Sequence, residues 1–182
     1  MKMLPMSFSC LLFLCTLFTS ACVSESASDT GQEETVAKAT TYYLIRHAEK
    51  DLSGGHNGNP PLTAAGEERA EEWARYFKRK GIDAVYSTNY ERTRSTATPA
   101  ARAAGLEVQI YRPGELYTEA FQRAHEGKSV LIVGHSNTIP ALVNRLVDSG
   151  TPLSDIDESE YGHLYTVRVK RGKASLRHRE FD

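Results

Sequence analysis

Short runs of apolar residues alternate along this chain with longer stretches in which apolar positions recur every third or fourth residue. The first run, Tyr42-Tyr-Leu-Ile45, is apolar throughout and passes in one step into Arg46-His47. A run without polar alternation predicts a strand covered on both faces. Residues 51–61 are dense in Gly, Asn and Pro and predict a loop. Thr63 then caps a predicted helix whose stripe is Ala70, Trp73, Ala74 and Phe77. Glu67 and Glu68 lie early in it and Lys78, Arg79 and Lys80 late, as the helix dipole favours, and Gly81 ends it. A second strand is predicted over residues 82–86. A helix follows over 91–104, which Pro99 is expected to kink or break. A third strand over 106–111 leads to a third helix over 114–126. Residues 129–134, Ser-Val-Leu-Ile-Val-Gly, are a fourth apolar strand, followed by a helix over 138–147. Residues 148–160 read as a polar, acidic loop. Residues 161–169 and 174–179 predict a terminal strand pair around the turn Lys170-Arg-Gly-Lys173.

Strand and helix in alternation predict an α/β fold, a three-layer α/β/α sandwich with a mostly parallel central sheet. In such a sheet the carboxyl ends of the strands share one edge, where ligand sites form. Three of those ends carry chemistry. The first delivers Arg46 and His47, the second leads through Ser87 to Arg92 at a helix start, and the fourth ends in Gly134-His135-Ser136-Asn137-Thr138. Two histidines and two arginines, far apart in sequence, are thus predicted to converge where helix N-termini add N–H donors for an anion. His56 and His125 are expected to face solvent, and His163 and His178 to be ordinary strand residues.

The amino-terminal segment has a different pattern. Lys2 precedes the apolar core around Leu11-Leu-Phe-Leu14, and the small residues Ser20 and Ala21 lead to Cys22. This predicts an export signal over residues 1–21, too short to span a bilayer. Thr19-Ser-Ala-Cys22 resembles the lipobox of bacterial lipoproteins, which implies lipidation of Cys22 and anchoring to the cell envelope. Residues 22–40, rich in Ser, Thr, Glu and Ala, cannot bury enough surface to order themselves and read as a tether. The remaining domain, residues 41–182, has no cysteine, which excludes disulfides and thiolate chemistry there. With 22 Lys+Arg against 23 Asp+Glu there is no basic field to attract nucleic acid.

Taken together, Arg46-His47-Ala-Glu49, Leu62-Thr63-x-x-Gly66, Ser87-x-x-x-x-Arg92-Thr93-x-x-Thr96-Ala97 and Gly134-His135-Ser136 resemble the histidine phosphatase (phosphoglycerate mutase-like) superfamily. The compact form resembles its small bacterial phosphohistidine-phosphatase type. The resemblance implies that His47 is phosphorylated during turnover and that Arg46, Arg92, His135 and Ser136 bind the phosphate. It also implies a proton-donating acid after the third strand, for which Glu115 is best placed, ahead of Glu119 and Glu49. No metal or cofactor is implied, since the arginines supply charge that Mg²⁺ supplies elsewhere. His47 must be neutral to attack, and His135 is expected to be protonated against the phosphoryl oxygens. The implied function is hydrolysis of a small-molecule or protein-borne phosphomonoester outside the cytoplasm. A lipoprotein that only binds a phosphorylated or anionic ligand is the other class consistent with these residues.

Overall fold

Six strands and four helices follow one another in the computed structural model, which describes residues 38–147 and 150–181. The predicted export signal and most of the tether lie outside the described residues. In chain order the elements are β1 (Thr40–Arg46), α1 (Ala64–Lys78), β2 (Ala84–Ser87), α2 (Glu91–Ala104), β3 (Val108–Ile110), α3 (Glu119–Ala124), β4 (Ser129–Gly134), α4 (Thr138–Leu146), β5 (His163–Lys170) and β6 (Lys173–Glu180). They form one sheet in the order β3-β2-β4-β1-β5-β6. β1, β2, β3 and β4 pair in parallel, while β5 runs antiparallel to β1 and β6 antiparallel to β5.

The apolar run of β1 divides strictly between the two faces, as a period of two requires. Tyr42 and Leu44 join Val130 and Ile132 beneath Phe121 of α3 and Ile139, Val143 and Leu146 of α4. Tyr43 and Ile45 join Leu131 and Val133 beneath Trp73 and Phe77 of α1 and Ala97 and Ala100 of α2. Two cores, one on each face, make the three-layer sandwich and explain why β1 and β4 carry no polar alternation.

Several predicted boundaries move for local reasons. α2 runs unbroken through Pro99, which is buried, and Ala97, Ala100 and Ala101 pack in the sheet-side core, so packing holds the helix where one backbone bond is missing. α3 begins at Glu119, not near 114, because the Thr118 hydroxyl accepts from Phe121 N–H at 3.1 Å and sets the helix start there. Residues before it form an irregular turn that buries Tyr111 and Leu116. At the far edge, Arg171 and Gly172 both have positive φ, 51° and 73°, which makes the two-residue connection between β5 and β6 a hairpin turn.

The parallel register brings the chemistry-bearing ends together. Arg46 stands beside Gly134, and Ser87 beside Val133. His47 N–H continues the ladder by donating to Gly134 O at 2.9 Å.

Candidate active site

The motif residues around this edge have separate jobs. Ala48 N–H donates to the Thr96 hydroxyl at 2.9 Å, and that hydroxyl donates to Arg92 O at 2.7 Å. One threonine on α2 thereby ties the segment after β1 to the helix turn that carries Arg92. Thr63 N–H donates to Glu49 O at 2.9 Å, and the Thr63 hydroxyl caps α1 by accepting from Gly66 N–H at 3.1 Å. Gly66 is needed because a Cβ there would collide with the Glu49 carbonyl oxygen. Gly134 is crowded in the same way by Ile139, Tyr111 and Thr138.

Inside this frame the rings of His47 and His135 lie edge to face with centroids 5.6 Å apart. His47 is buried, and its Nδ1 lies 2.8 Å from Ala48 O, so Nδ1 carries the hydrogen and donates. The lone pair is left on Nε2, as a nucleophile requires. Burial, followed by the charges of Arg46 and Arg92, pushes the His47 pKa down to about 3, so the ring is neutral at physiological pH.

His135 lies in a directed relay. Its Nε2 lies 2.9 Å from the Thr88 hydroxyl, which donates to the Thr93 hydroxyl at 2.9 Å. Nε2–H is therefore the donor, and Nδ1 turns its lone pair to Arg92 Nη2 at 3.5 Å. Without an anion His135 is neutral at physiological pH. Burial and then Arg92 and Arg46 push its pKa down to about 4, because two guanidiniums already supply positive charge.

Each arginine is backed by a tyrosine: Arg46 lies 4.4 Å from the Tyr161 ring centre and Arg92 4.6 Å from that of Tyr90. Arg92 has two buried donors, Nε and Nη1, with no hydrogen-bond partner among the described residues. Unsatisfied buried donors of a permanent cation are costly, and an oxyanion satisfies both. Arg46 is fully buried and differs from expectation. Its Nη1 donates to Asp157 O at 2.7 Å and Glu160 O at 2.8 Å, so one arm holds the loop before β5 and does not face a ligand. Its Nη2 donates to the Glu158 carboxylate at 2.8 Å.

Glu158 is the unforeseen residue of the site. Besides Arg46 it receives Lys50 Nζ at 2.9 Å and the Ser136 hydroxyl at 2.6 Å. A carboxylate of the chain itself thus engages two of the four residues assigned to phosphate. These donors hold its pKa down at about 2, with the Ser136 hydroxyl the largest cause and Lys50 next.

Glu115 does not join this group: it is exposed on the turn that buries Tyr111 and Leu116. Glu49 is held by Arg69 through both carboxylate oxygens, at 2.8 and 3.0 Å from Nε, and Glu119 pairs with Arg123. His125 is buried rather than solvent-facing, with Nδ1 2.8 Å from Phe121 O and Nε2 3.1 Å from the Tyr86 hydroxyl.

Residues 42–113 match the histidine phosphatase superfamily, branch 1. That stretch holds His47, Arg46 and Arg92 and ends before His135. Among related chains, the protein named probable phosphoglycerate mutase GpmB from Escherichia coli is 33% identical over 117 residues, which cover 60% of this chain and 53% of that one. The chain thus spans about half the length of the relatives it matches. Solved histidine phosphatase folds superpose over most of the domain. The protein histidine phosphatase SixA, complexed with tungstate, gives a TM-score of 0.64 at 18% identity over 77% of this chain and 96% of that one. The structure named putative α-ribazole-5′-phosphate phosphatase from Escherichia coli gives 0.58 at 20% identity, covering 78% and 97%. A phosphoserine phosphatase mutant from Entamoeba histolytica gives 0.56 at 19% identity, covering 75% and 94%. The fold is therefore that of histidine phosphatases, and the four motifs stand on the elements predicted for them.

Lys50, Thr88, Tyr90, Glu158 and Tyr161 escaped the sequence reading. Lys50 and Thr88 adjoin motifs and carried a positional hint. Glu158 and Tyr161 sit in the segment before β5, whose approach to Arg46 is a tertiary fact.

Proposed function

We propose that the chain is a phosphomonoester hydrolase that works through a phosphohistidine on His47. The observation that carries this reading is His47 held with Nδ1 2.8 Å from Ala48 O, which leaves the Nε2 lone pair for attack, with the His135 ring 5.6 Å away. In the proposed cycle Nε2 attacks phosphorus, the bond from phosphorus to the ester oxygen breaks, and the leaving alkoxide takes a proton from solvent water. Water then attacks the phosphoryl group, breaks the P–N bond and releases inorganic phosphate. Arg92 supplies paired donors to the equatorial oxygens, and Arg46 Nη2 and Ser136 supply further ones once Glu158 moves aside. SixA and the other superposed phosphatases support a phosphorylated small molecule or protein as substrate.

The export signal and lipobox-like cysteine support a place outside the cytoplasm, with the domain tethered to the cell envelope and a substrate met there. The anchor proposed is the lipid on Cys22; among the described residues no helix is long and apolar enough to cross a membrane.

The test is hydrolysis of an aryl phosphate, whose leaving group departs with little help from an acid. Rapid quenching with labelled substrate is expected to trap one acid-labile, base-stable phosphate per chain. His47→Ala should abolish both trapped label and turnover. Label on His135, or turnover in the His47→Ala protein, overturns the assignment. Binding of phosphate by the wild-type chain with no hydrolysis would support the ligand-binding class instead.

A further inference from the structure

Away from the histidine pair, the start of β5 and the end of β6 bring three metal-ligating side chains to one face of the hairpin. His163 pairs directly with Glu180 and Tyr165 with His178, so cross-strand register puts both imidazoles and the carboxylate on the same side. His163 Nδ1 lies 2.8 Å from His178 Nε2, and Glu180 Oε1 lies 3.8 Å from each of those nitrogens. A tetrahedral Zn²⁺ with bonds of ~2.0–2.1 Å spaces its ligand atoms about 3.3 Å apart. Shifts of roughly half an ångström in side chains of an edge hairpin convert one arrangement into the other.

The other side of His163 is also ordered for ligation. Its Nε2 lies 2.9 Å from the Glu160 carboxylate, so Nε2 carries the hydrogen and Nδ1 turns its lone pair to His178 and Glu180. A carboxylate that receives the far N–H of a ligating histidine is the usual outer partner of such a metal ligand. Tyr165 backs the group, stacking on His178 with centroids 4.5 Å apart. His163 is buried, while His178 and Glu180 are 35% and 65% exposed at the side chain, which leaves a solvent route to a fourth ligand position.

We propose that His163, His178 and Glu180 bind one divalent transition-metal ion of the zinc class, with water in the fourth position. On binding, His178 moves its hydrogen from Nε2 to Nδ1, and no net proton leaves the imidazoles. Two nitrogens and one oxygen suit Zn²⁺ and disfavour Mg²⁺, which takes oxygen ligands. The site is distinct from the histidine pair, and one residue connects them: Glu160 receives His163 on its carboxylate and Arg46 on its carbonyl.

Calorimetric titration of the full-length chain with ZnCl₂ and with MgCl₂ tests this. The three cysteines at positions 10, 15 and 22 are present in every variant, so the site is assigned by difference. The wild type should bind one more Zn²⁺ than His178→Ala, should melt at higher temperature with Zn²⁺, and should ignore Mg²⁺. Glu160→Gln, which keeps all three ligands, should weaken that Zn²⁺ by ~10–100-fold. Metal-free His178→Ala should still unfold in one cooperative transition, which shows that the variant folds. Identical Zn²⁺ isotherms for wild type and His178→Ala, or no Zn²⁺-dependent rise in the wild-type melting temperature, overturn the proposal. It does not depend on phosphatase activity, since neither readout involves turnover.

Discussion

Glu158 changes how the pocket is to be understood at the scale of single residues. Its carboxylate neutralises Arg46 and Lys50 and takes the Ser136 hydroxyl, so an incoming phosphate must displace it to reach those donors. Because its side chain is 62% exposed, this displacement is cheap. Glu158→Ala is predicted to bind inorganic phosphate roughly two- to fivefold more tightly, as removal of about 0.5–1 kcal/mol of exposed ion-pair competition implies. Competitive inhibition by phosphate measures it. Unchanged inhibition with a collapsed kcat would give Glu158 a part in the chemistry itself. His135 supplies a second prediction. Neutral at pH 7 without a ligand, it has a free Nδ1 lone pair facing Arg92, and a dianion placed there favours protonation at that nitrogen. Tungstate binding at pH 7 should therefore take up about one proton per chain, a consequence of the linkage between ligand and proton. Calorimetry in two buffers of different ionisation enthalpy reads this number, and His135→Asn should bring it to zero. Zero uptake in the wild type would mean that His135 acts as a neutral donor.

At the scale of elements, the site depends on how α1 and α2 are docked onto the segment after β1. Thr63 caps α1 and holds Glu49, and Gly66 lets the first turn pass against the Glu49 carbonyl. Thr63→Ala is predicted to cost about 1 kcal/mol, the usual value of a lost N-cap. Gly66→Ala should cost more, because the new Cβ pushes on backbone that cannot yield without shifting His47. Chemical denaturation measures both, and a Gly66→Ala protein as stable as the wild type would refute the close-approach argument. Pro99 shows the opposite balance. An interior proline costs ~3 kcal/mol in an isolated helix. α2 absorbs it because Ala97, Ala100 and Ala101 are buried on the sheet.

For the whole molecule, the proposed anchor and the proposed reaction are separable. Cys22 lies outside the described residues and far in sequence from every motif, so Cys22→Ser is expected to abolish fatty-acid labelling and membrane retention while leaving aryl phosphate hydrolysis intact. Metabolic labelling and cell fractionation check this. A wild-type chain that takes up no label would remove the lipid anchor from the account.

The hydrophobic pattern alone determined the α/β class, the two faces of β1 and β4, and the edge at which Arg46, His47, Arg92 and His135 meet. A strand buried on both faces cannot hide its apolar run, and a parallel sheet aligns its carboxyl ends whatever loops connect them. Thr63 was legible as a helix cap because a cap acts within one turn of its own helix, whereas the approach of Gly66 to Glu49 and the bond of Thr96 to Ala48 stood in the sequence only as motif spacings. The acidic loop over residues 148–160 was legible only as a loop. That Asp157 and Glu160 carbonyls hold Arg46 and that Glu158 enters the anion site are contacts between residues about 110 positions apart. His125 and His163 escaped likewise, because a histidine reveals its partners only when another element is folded against it. The protonation of His135 belongs to the tertiary structure as well. Its pKa follows from burial and from two arginines delivered by other strands, and no local pattern records either.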